Sequence, residues 1–204
     1  MADKAYEVAY WPASDAVLED PSLVDPALDI LRTKTPYPLF TGIQTEAPNF
    51  WVVIVWETVN AHKEFMASPE YPGLVEALAP TFKTKEVTLV HAHFTADPLG
   101  AFGAQATEHA WITAKAGVGA DVVVAVIERI LSVVREERQA VSSGGAWGRV
   151  VEKSEEILLV IGWTSVEAHV GFVSGGGPGE ALVNELREIA DIRMSHAKLK
   201  RSPK

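Results

Sequence analysis

The stretch Trp56-Glu57-Thr58-Val59-Asn60-Ala61-His62-Lys63-Glu64-Phe65 recurs as Trp163-Thr164-Ser165-Val166-Glu167-Ala168-His169-Val170-Gly171-Phe172. The offset is 163 − 56 = 107, and it holds without a gap from the pair Phe40/Trp147 to the pair Phe65/Phe172. A period this long exceeds any solenoid unit and means two copies of one small domain of about a hundred residues. The expected division is a first repeat over 1–95, a linker over 96–106 with the composition Ala-Asp-Pro-Leu-Gly-Ala-Phe-Gly-Ala at 96–104, and a second repeat over 107–200.

Outward from the repeated segment, each half reads strand, helix, strand, strand, helix, strand. In the first half the strands are Ala5 to Trp11, Leu39 to Gln44, Phe50 to Trp56 and Val87 to Phe94. Leu23, Leu28 and Leu31 give Pro21 to Lys34 a helical rhythm, and a second helix opens after the N-cap candidate Thr58, with a break near Ser68 to Gly73. The second half repeats this with strands at His109 to Ala114, Trp147 to Val151, Ile157 to Trp163 and Ile192 to Leu199, and helices from about Asp121 to Gln139 and after Ser165. The third strands, Phe50-Trp51-Val52-Val53-Ile54-Val55-Trp56 and Ile157-Leu158-Leu159-Val160-Ile161-Gly162-Trp163, show no polar alternation, so both faces must be covered. A β-α-β-β-α-β sheet carries helices on one face only. The second copy of the same sheet is the expected cover for the other, which makes an intrachain α+β barrel from tandem ferredoxin-like repeats.

The totals narrow the function classes. A chain of 204 residues with 48% hydrophobic composition can bury two cores, and it contains no cysteine, which excludes disulfide and thiolate chemistry. A net charge of −9 and a pI near 5.1 argue against a sequence-independent grip on nucleic acid. The basic run Lys198 to Lys204 reads as a solvated end. The start has no export-type apolar core and no stretch approaches a membrane span, so the cytoplasm is the expected location and neither membrane nor nucleic acid an expected partner.

The apolar strand ending in Trp, then Thr or Ser, then Ala-His-x-x-Phe, followed in the first half by Ser68-Pro69-Glu70-Tyr71 and a leucine-bearing helix, resembles the dimeric α+β barrel superfamily. Within it, the antibiotic-biosynthesis monooxygenase-like and stress-responsive barrel proteins are most similar. The resemblance covers most of the chain, in duplicate. It implies a ferredoxin-like unit whose sheet packs on a second sheet. The relatives include cofactor-free oxygenases of polyphenolic rings, polyketide cyclases, haem-degrading enzymes and proteins without known activity.

Candidate chemistry centres on histidine. His62 and His169 fall in apolar helical arcs, Val59/His62/Met66 and Val166/His169/Val173, and therefore point inward. They are either acid–base groups of a pocket between sheet and helices or core histidines tying the helix start to a strand, and their recurrence in both copies fits the scaffold role. His109 is not duplicated; it takes the place where Tyr6 stands in the first copy and shares a strand face with Trp111 and Thr113. In polyketide-cyclase relatives a first-strand and a second-helix histidine act together, which His109 and His169 resemble, although Ser174 to Gly179 replaces the cyclase helix motif.

His91-Ala92-His93 has a spacing that metal sites use, but the second copy reads His196-Ala197-Lys198, and no metal is expected. The glycines at 175–179 lack the Lys-Ser/Thr of a phosphate loop and read as a helix kink, and no axial haem ligand can be assigned. Trp56 and Trp163 read as core residues and pocket walls, and Trp11, Trp51 and Trp147 as further candidate walls.

The expected protein is a small-molecule-binding barrel, leaning to a cofactor-independent cyclase or monooxygenase that acts on an aromatic or polyketide-like metabolite. His109 would be the base, His169 or His62 the orienting partner, and Trp111 with Tyr6 the wall. The rival is a non-catalytic stress-type or carrier protein. Exposed sheet edges leave a homodimer open.

Overall fold

The computed structural model describes residues 4–137 and 139–202. The chain divides into two compact units, one comprising residues up to His93 together with the chain from Lys200, the other Phe94–Leu199.

In the first unit, β1 (Ala5–Pro12), β2 (Leu39–Gln44), β3 (Asn49–Trp56) and β4 (Thr88–Phe94) form an antiparallel sheet in the order β4-β1-β3-β2. Its helices are α1 (Asp15–Glu19), α2 (Asp25–Arg32), α3 (Val59–Met66) and α4 (Tyr71–Leu78). The single helix expected over 21–34 is instead a 3-10 turn, Pro21–Val24, followed by α2. Asp20 caps the turn and Pro26 sits in the first turn of α2, where its missing N–H costs no helical bond. Ala27, Leu28 and Leu31 of α2, with Phe65 of α3 and Leu74 of α4, pack on Ala5, Ala9, Val52, Ile54 and Trp56. Thr58 closes the α3 N-terminus by accepting from the Ala61 N–H at 3.1 Å.

The second unit repeats the order. β5 (Ala106–Ala114), β6 (Val141–Val150), β7 (Glu156–Trp163) and β8 (Ala190–Arg201) are arranged β8-β5-β7-β6, antiparallel throughout. Its long helix α6 (Ala120–Glu136) lays Val123, Val126, Ile127, Ile130, Leu131 and Val134 on the sheet at three- and four-residue steps. α7 (Val166–Ser174) is capped by Ser165 as α3 is by Thr58, and α8 (Pro178–Ile189) follows the glycine break. Both β3 and β7 are buried along almost their entire length, as strands without polar alternation must be.

Three strands begin two or more residues earlier than their sequence suggests. β5 starts at Ala106, not His109. β6 starts at Val141, where Ser142-Ser143-Gly144 looks like a loop but passes through a bulge with Gly144 at φ +74°. β8 starts at Ala190, not Ile192, and it continues to Arg201. Lys198 and Lys200 are therefore exposed strand residues flanking buried Leu199, not a solvated tail, while 203–204 lie outside the described residues.

The stretch before β5 forms a short helix, α5 (Leu99–Phe102), with Ala101 and Phe102 buried. Its small residues lie against Gly162 of β7, where an added Cβ would fall 2.9 Å from both Ala101 Cα and Ala104 Cβ. The first-unit counterpart of Gly162 is Val55, at 162 − 107. Gly162→Val therefore overpacks backbone and should destabilise by about 1–3 kcal/mol in urea unfolding. Gly171→Ala, with nothing within 4 Å of the new methyl, should cost nothing and serves as the control.

Candidate functional site

The register of the sheets brings four residues together in each unit. Trp56 lies opposite Ala5 on β1, and Trp163 lies opposite Ala106 on β5. Equivalence of these pairs aligns Ala5-Tyr6-Glu7-Val8-Ala9 with Ala106-Thr107-Glu108-His109-Ala110. Glu108 is thus the counterpart of Glu7, and His109 matches Val8, whereas the sequence comparison set it against Tyr6. The offset on the first strands is 108 − 7 = 101, so the second copy holds 107 − 101 = 6 more residues between its first strand and the repeated segment.

In the first unit the Trp56 Nε1–H donates to Glu7 Oε2 at 2.7 Å, and the same oxygen lies 3.2 Å from His62 Nδ1. His62 Nδ1 is 2.8 Å from His91 Nε2 on β4. The imidazole of His62 lies flat on the Trp56 indole, with centroids 4.7 Å apart and planes 4° from parallel, so stacking fixes its orientation. Glu7, His62 and His91 are all buried.

The second unit builds the same cluster with a different tilt. Trp163 Nε1–H donates to Glu108 Oε2 at 2.8 Å, and His169 Nδ1 is 2.8 Å from His196 Nε2. His169 is inclined 35° to Trp163, and its near approach to Glu108 Oε2, at 3.6 Å, is through Nε2. Burial pushes the Glu108 carboxyl up to about 6, against the Trp163 hydrogen bond and the charge of His196, which favour ionisation.

The cavities beside these clusters differ. In the first unit a cavity of about 250 Å3 lies between sheet and helices, lined by Trp11, Leu28, Leu31, Trp56, Leu74 and Phe82, with Glu7 and His62 among its walls. It reaches the half-exposed Val75 and Val87 at the surface. The corresponding cavity of the second unit, lined by Glu108, Ile130, Trp163, His169, Phe172 and Leu186 among others, measures about 60 Å3. That is room for a few waters and not for a ring.

Of the residues singled out by sequence, His62 and Trp56 border the first cavity and His169 and Trp163 the second. His109 and Trp111 border neither. They alternate along β5 with Ala110 and Ile112, which face α6, and so project from the other side of the sheet. Tyr6 is likewise on the side of β1 opposite Glu7. His109 is fully buried beside Phe102, with ring centroids 6.0 Å apart. Burial first, then the charge of His196, hold its imidazole down to about 3 against a backbone hydrogen bond at Thr107, so it is neutral at pH 7.

Among the tryptophans proposed as walls, Trp11 lines the first cavity and bonds Thr81 Oγ1, Trp51 stacks on Tyr10, and Trp147 donates to Glu128. His93 turns to the Lys4 carbonyl oxygen at 3.1 Å, away from the partner that a His91/His93 metal pair would need.

Glu7, Glu108 and the equivalence of His91 with His196 complete the clusters. The two glutamates escaped the sequence reading although each is a lone acid in an apolar first strand. The shared pattern Ala-x-Glu-x-Ala-aromatic, at 5–10 and 106–111, is the signal that finds them.

No sequence family matches this chain, and no curated protein does. Solved structures do. A proposed monooxygenase from Lactobacillus acidophilus NCFM superposes with a TM-score of 0.65 at 9% identity, covering 98% of this chain and 96% of its own. An anthrone oxidase-like protein gives 0.65 at 8%, covering 99% and 94%. A haem-binding protein from Thermus thermophilus gives 0.53 at 8%, covering 96% and 90%. At such identities the likeness is one of fold, and the fold is α+β, of the dimeric α+β barrel kind. Among the described residues no helix is long and apolar enough to cross a membrane.

Proposed function

We propose that the first unit binds a small, largely apolar, planar molecule and removes a proton from its activated C–H or O–H. The observation that carries this reading is the placement of Glu7 and His62 in the wall of an otherwise apolar cavity of about 250 Å3. A ring fits against Trp11, Trp56 and Phe82, and the acidic group of the ligand meets the carboxylate–imidazole pair. Glu7, held by the Trp56 N–H, is the base, and His62, whose Nδ1 lies 3.2 Å from the carboxylate and 2.8 Å from His91 Nε2, orients it. Ring closure, or reaction of the carbanion with dioxygen, would follow. The fold shared with an anthrone oxidase-like protein points to phenolic polycycles as the substrates to try. In this reading His169 and its cluster, beside a cavity of only about 60 Å3, are scaffold.

The second reading is a carrier without turnover. It draws on the second unit, where the same Glu-Trp-His-His cluster exists beside almost no space and so serves the fold alone. Binding and turnover of hydroxylated anthrone-type tricycles separate the two. Leu74→Trp fills the cavity and should weaken binding at least tenfold. Glu7→Gln should keep affinity within a few-fold and lower turnover by on the order of 10²–10⁴. Tight binding by the native chain with no product under dioxygen would establish the carrier. Native affinity in Leu74→Trp would place the ligand elsewhere.

A further inference from the structure

We propose that Glu7, His62 and His91 form a binding site for one first-row divalent transition ion, of the iron-to-zinc range, and that the second unit has no such site. This site is independent of the acid–base reading, because it rests on the convergence of donor atoms and not on what the cavity holds.

The three donor atoms lie within 4.8 Å of one another, and all three residues are buried. Two ligands at about 2.1 Å from one ion, 90–110° apart, stand about 3.0–3.4 Å from each other. The carboxylate-to-Nδ1 separation of 3.2 Å already has this value, and the Nδ1-to-Nε2 separation of 2.8 Å reaches it with a shift of a few tenths of an ångström. Two neutral imidazoles and one carboxylate are the donor set of open zinc centres and of the two-histidine, one-carboxylate iron centres. The supporting contacts that such ligands need are in place. The Trp56 N–H orients the Glu7 carboxylate, and the Trp56 ring fixes the plane of His62. Glu7 and His62 also line the cavity, so an ion can enter, and small ligands can reach it.

The second unit shows why residue types alone do not make the site. In the first cluster, Nδ1 of His62 faces both the carboxylate and the other imidazole. In the second, His169 turns Nδ1 to His196 and the opposite nitrogen, Nε2, toward Glu108 at 3.6 Å, so the donors point at two different places. The tilt of 35° on Trp163, against 4° on Trp56, is the visible difference.

The test titrates the intact, metal-stripped chain with Co2+ and with Zn2+, following cobalt d–d absorption and calorimetric stoichiometry. One equivalent should bind, with zinc displacing cobalt. Glu7→Gln should weaken binding at least tenfold, while Glu108→Gln, His196→Ala and the partly exposed His93→Ala leave it unchanged. In the unsubstituted protein, Zn2+ should shift the imidazole resonances of His62 and His91 and leave those of His169 and His196 in place, a readout that needs no variant to fold. Binding of two equivalents, of none, or with native affinity in Glu7→Gln overturns the site. The proton-transfer proposal can fail separately, since it is read from turnover of the metal-stripped protein.

Discussion

Trp163→Ala should be among the most damaging single substitutions in the chain, lowering the unfolding free energy by about 3–5 kcal/mol through the cavity it leaves. A further 1–3 kcal/mol should come from the carboxylate it strands. Trp163 is fully buried, packs on Phe172 at 5.2 Å and supplies the N–H that Glu108 accepts at 2.8 Å. Trp163→Phe isolates the polar part, because it fills most of the space and removes only the donor. Combining it with Glu108→Gln should cost less than the sum of the two, since a neutral amide is cheaper to leave in that place than a carboxylate. The matching Trp56→Phe should cost less than Trp163→Phe. Glu7 borders a cavity of about 250 Å3 that can admit water to replace the lost hydrogen bond, and Glu108 borders about 60 Å3. Urea unfolding of the five variants, Glu108→Gln alone included, measures this. Equal costs for the two phenylalanine variants would show that the cavities do not differ in their access to water.

Stability should fall steeply below about pH 4.5 and stay nearly level between about 4.5 and 6. Burial lowers His109 from 6.5 to about 3, so between these values the unfolded chain binds a proton that the folded chain refuses. The contribution of this residue is complete above 6.5 and is lost as the pH falls toward 3, to a limit of about 5 kcal/mol at 1.36 kcal/mol per unit. Glu108 works in the opposite sense. Raised from 4.5 to about 6, its folded form keeps a proton that the unfolded chain has released, and its contribution, about 2 kcal/mol, is present below 4.5 and lost as the pH rises through 6. The two slopes offset where the windows overlap, and below them His109 is joined by the exposed carboxyls of Asp20, Glu70 and Glu167, which hydrogen bonds hold below their usual range. His109→Leu should therefore remove most of the acid loss and reveal a protein that gains stability on acidification from 6 to 4.5. Glu108→Gln should start the decline near 6.5. Urea midpoints at half-unit intervals from pH 7 to 3 read both, and an unchanged acid slope in His109→Leu would remove this residue from the account.

The parts of the molecule that the sequence made legible are those carried by the ungapped repeat. Thr58 and Ser165 announce the same helix start, Trp56 and Trp163 end the same strand, and apolar spacing turns His62 and His169 inward, where the structure places them. The family resemblance and the α+β fold followed from this one segment. The cluster itself was harder to see because its glutamates lie across a six-residue length difference. Setting His109 against Tyr6 places it two strand positions from Val8, where the ladder puts it; the face is the same, but the shift hides the match of Glu108 with Glu7. The inequality of the cavities was not legible at all. Tryptophan, histidine and leucine border both, and the free volume is what remains after helix placement and side-chain size have acted together, a quantity no residue pattern carries.

That inequality has a consequence for how such a protein can change. In an assembly of identical chains every substitution is written twice, so a roomier pocket in one subunit loosens both. Here the two clusters are encoded separately. The tightly filled copy can carry the stability of the polypeptide while the hollow one drifts toward new ligands, and selection for binding need not be opposed by selection for folding.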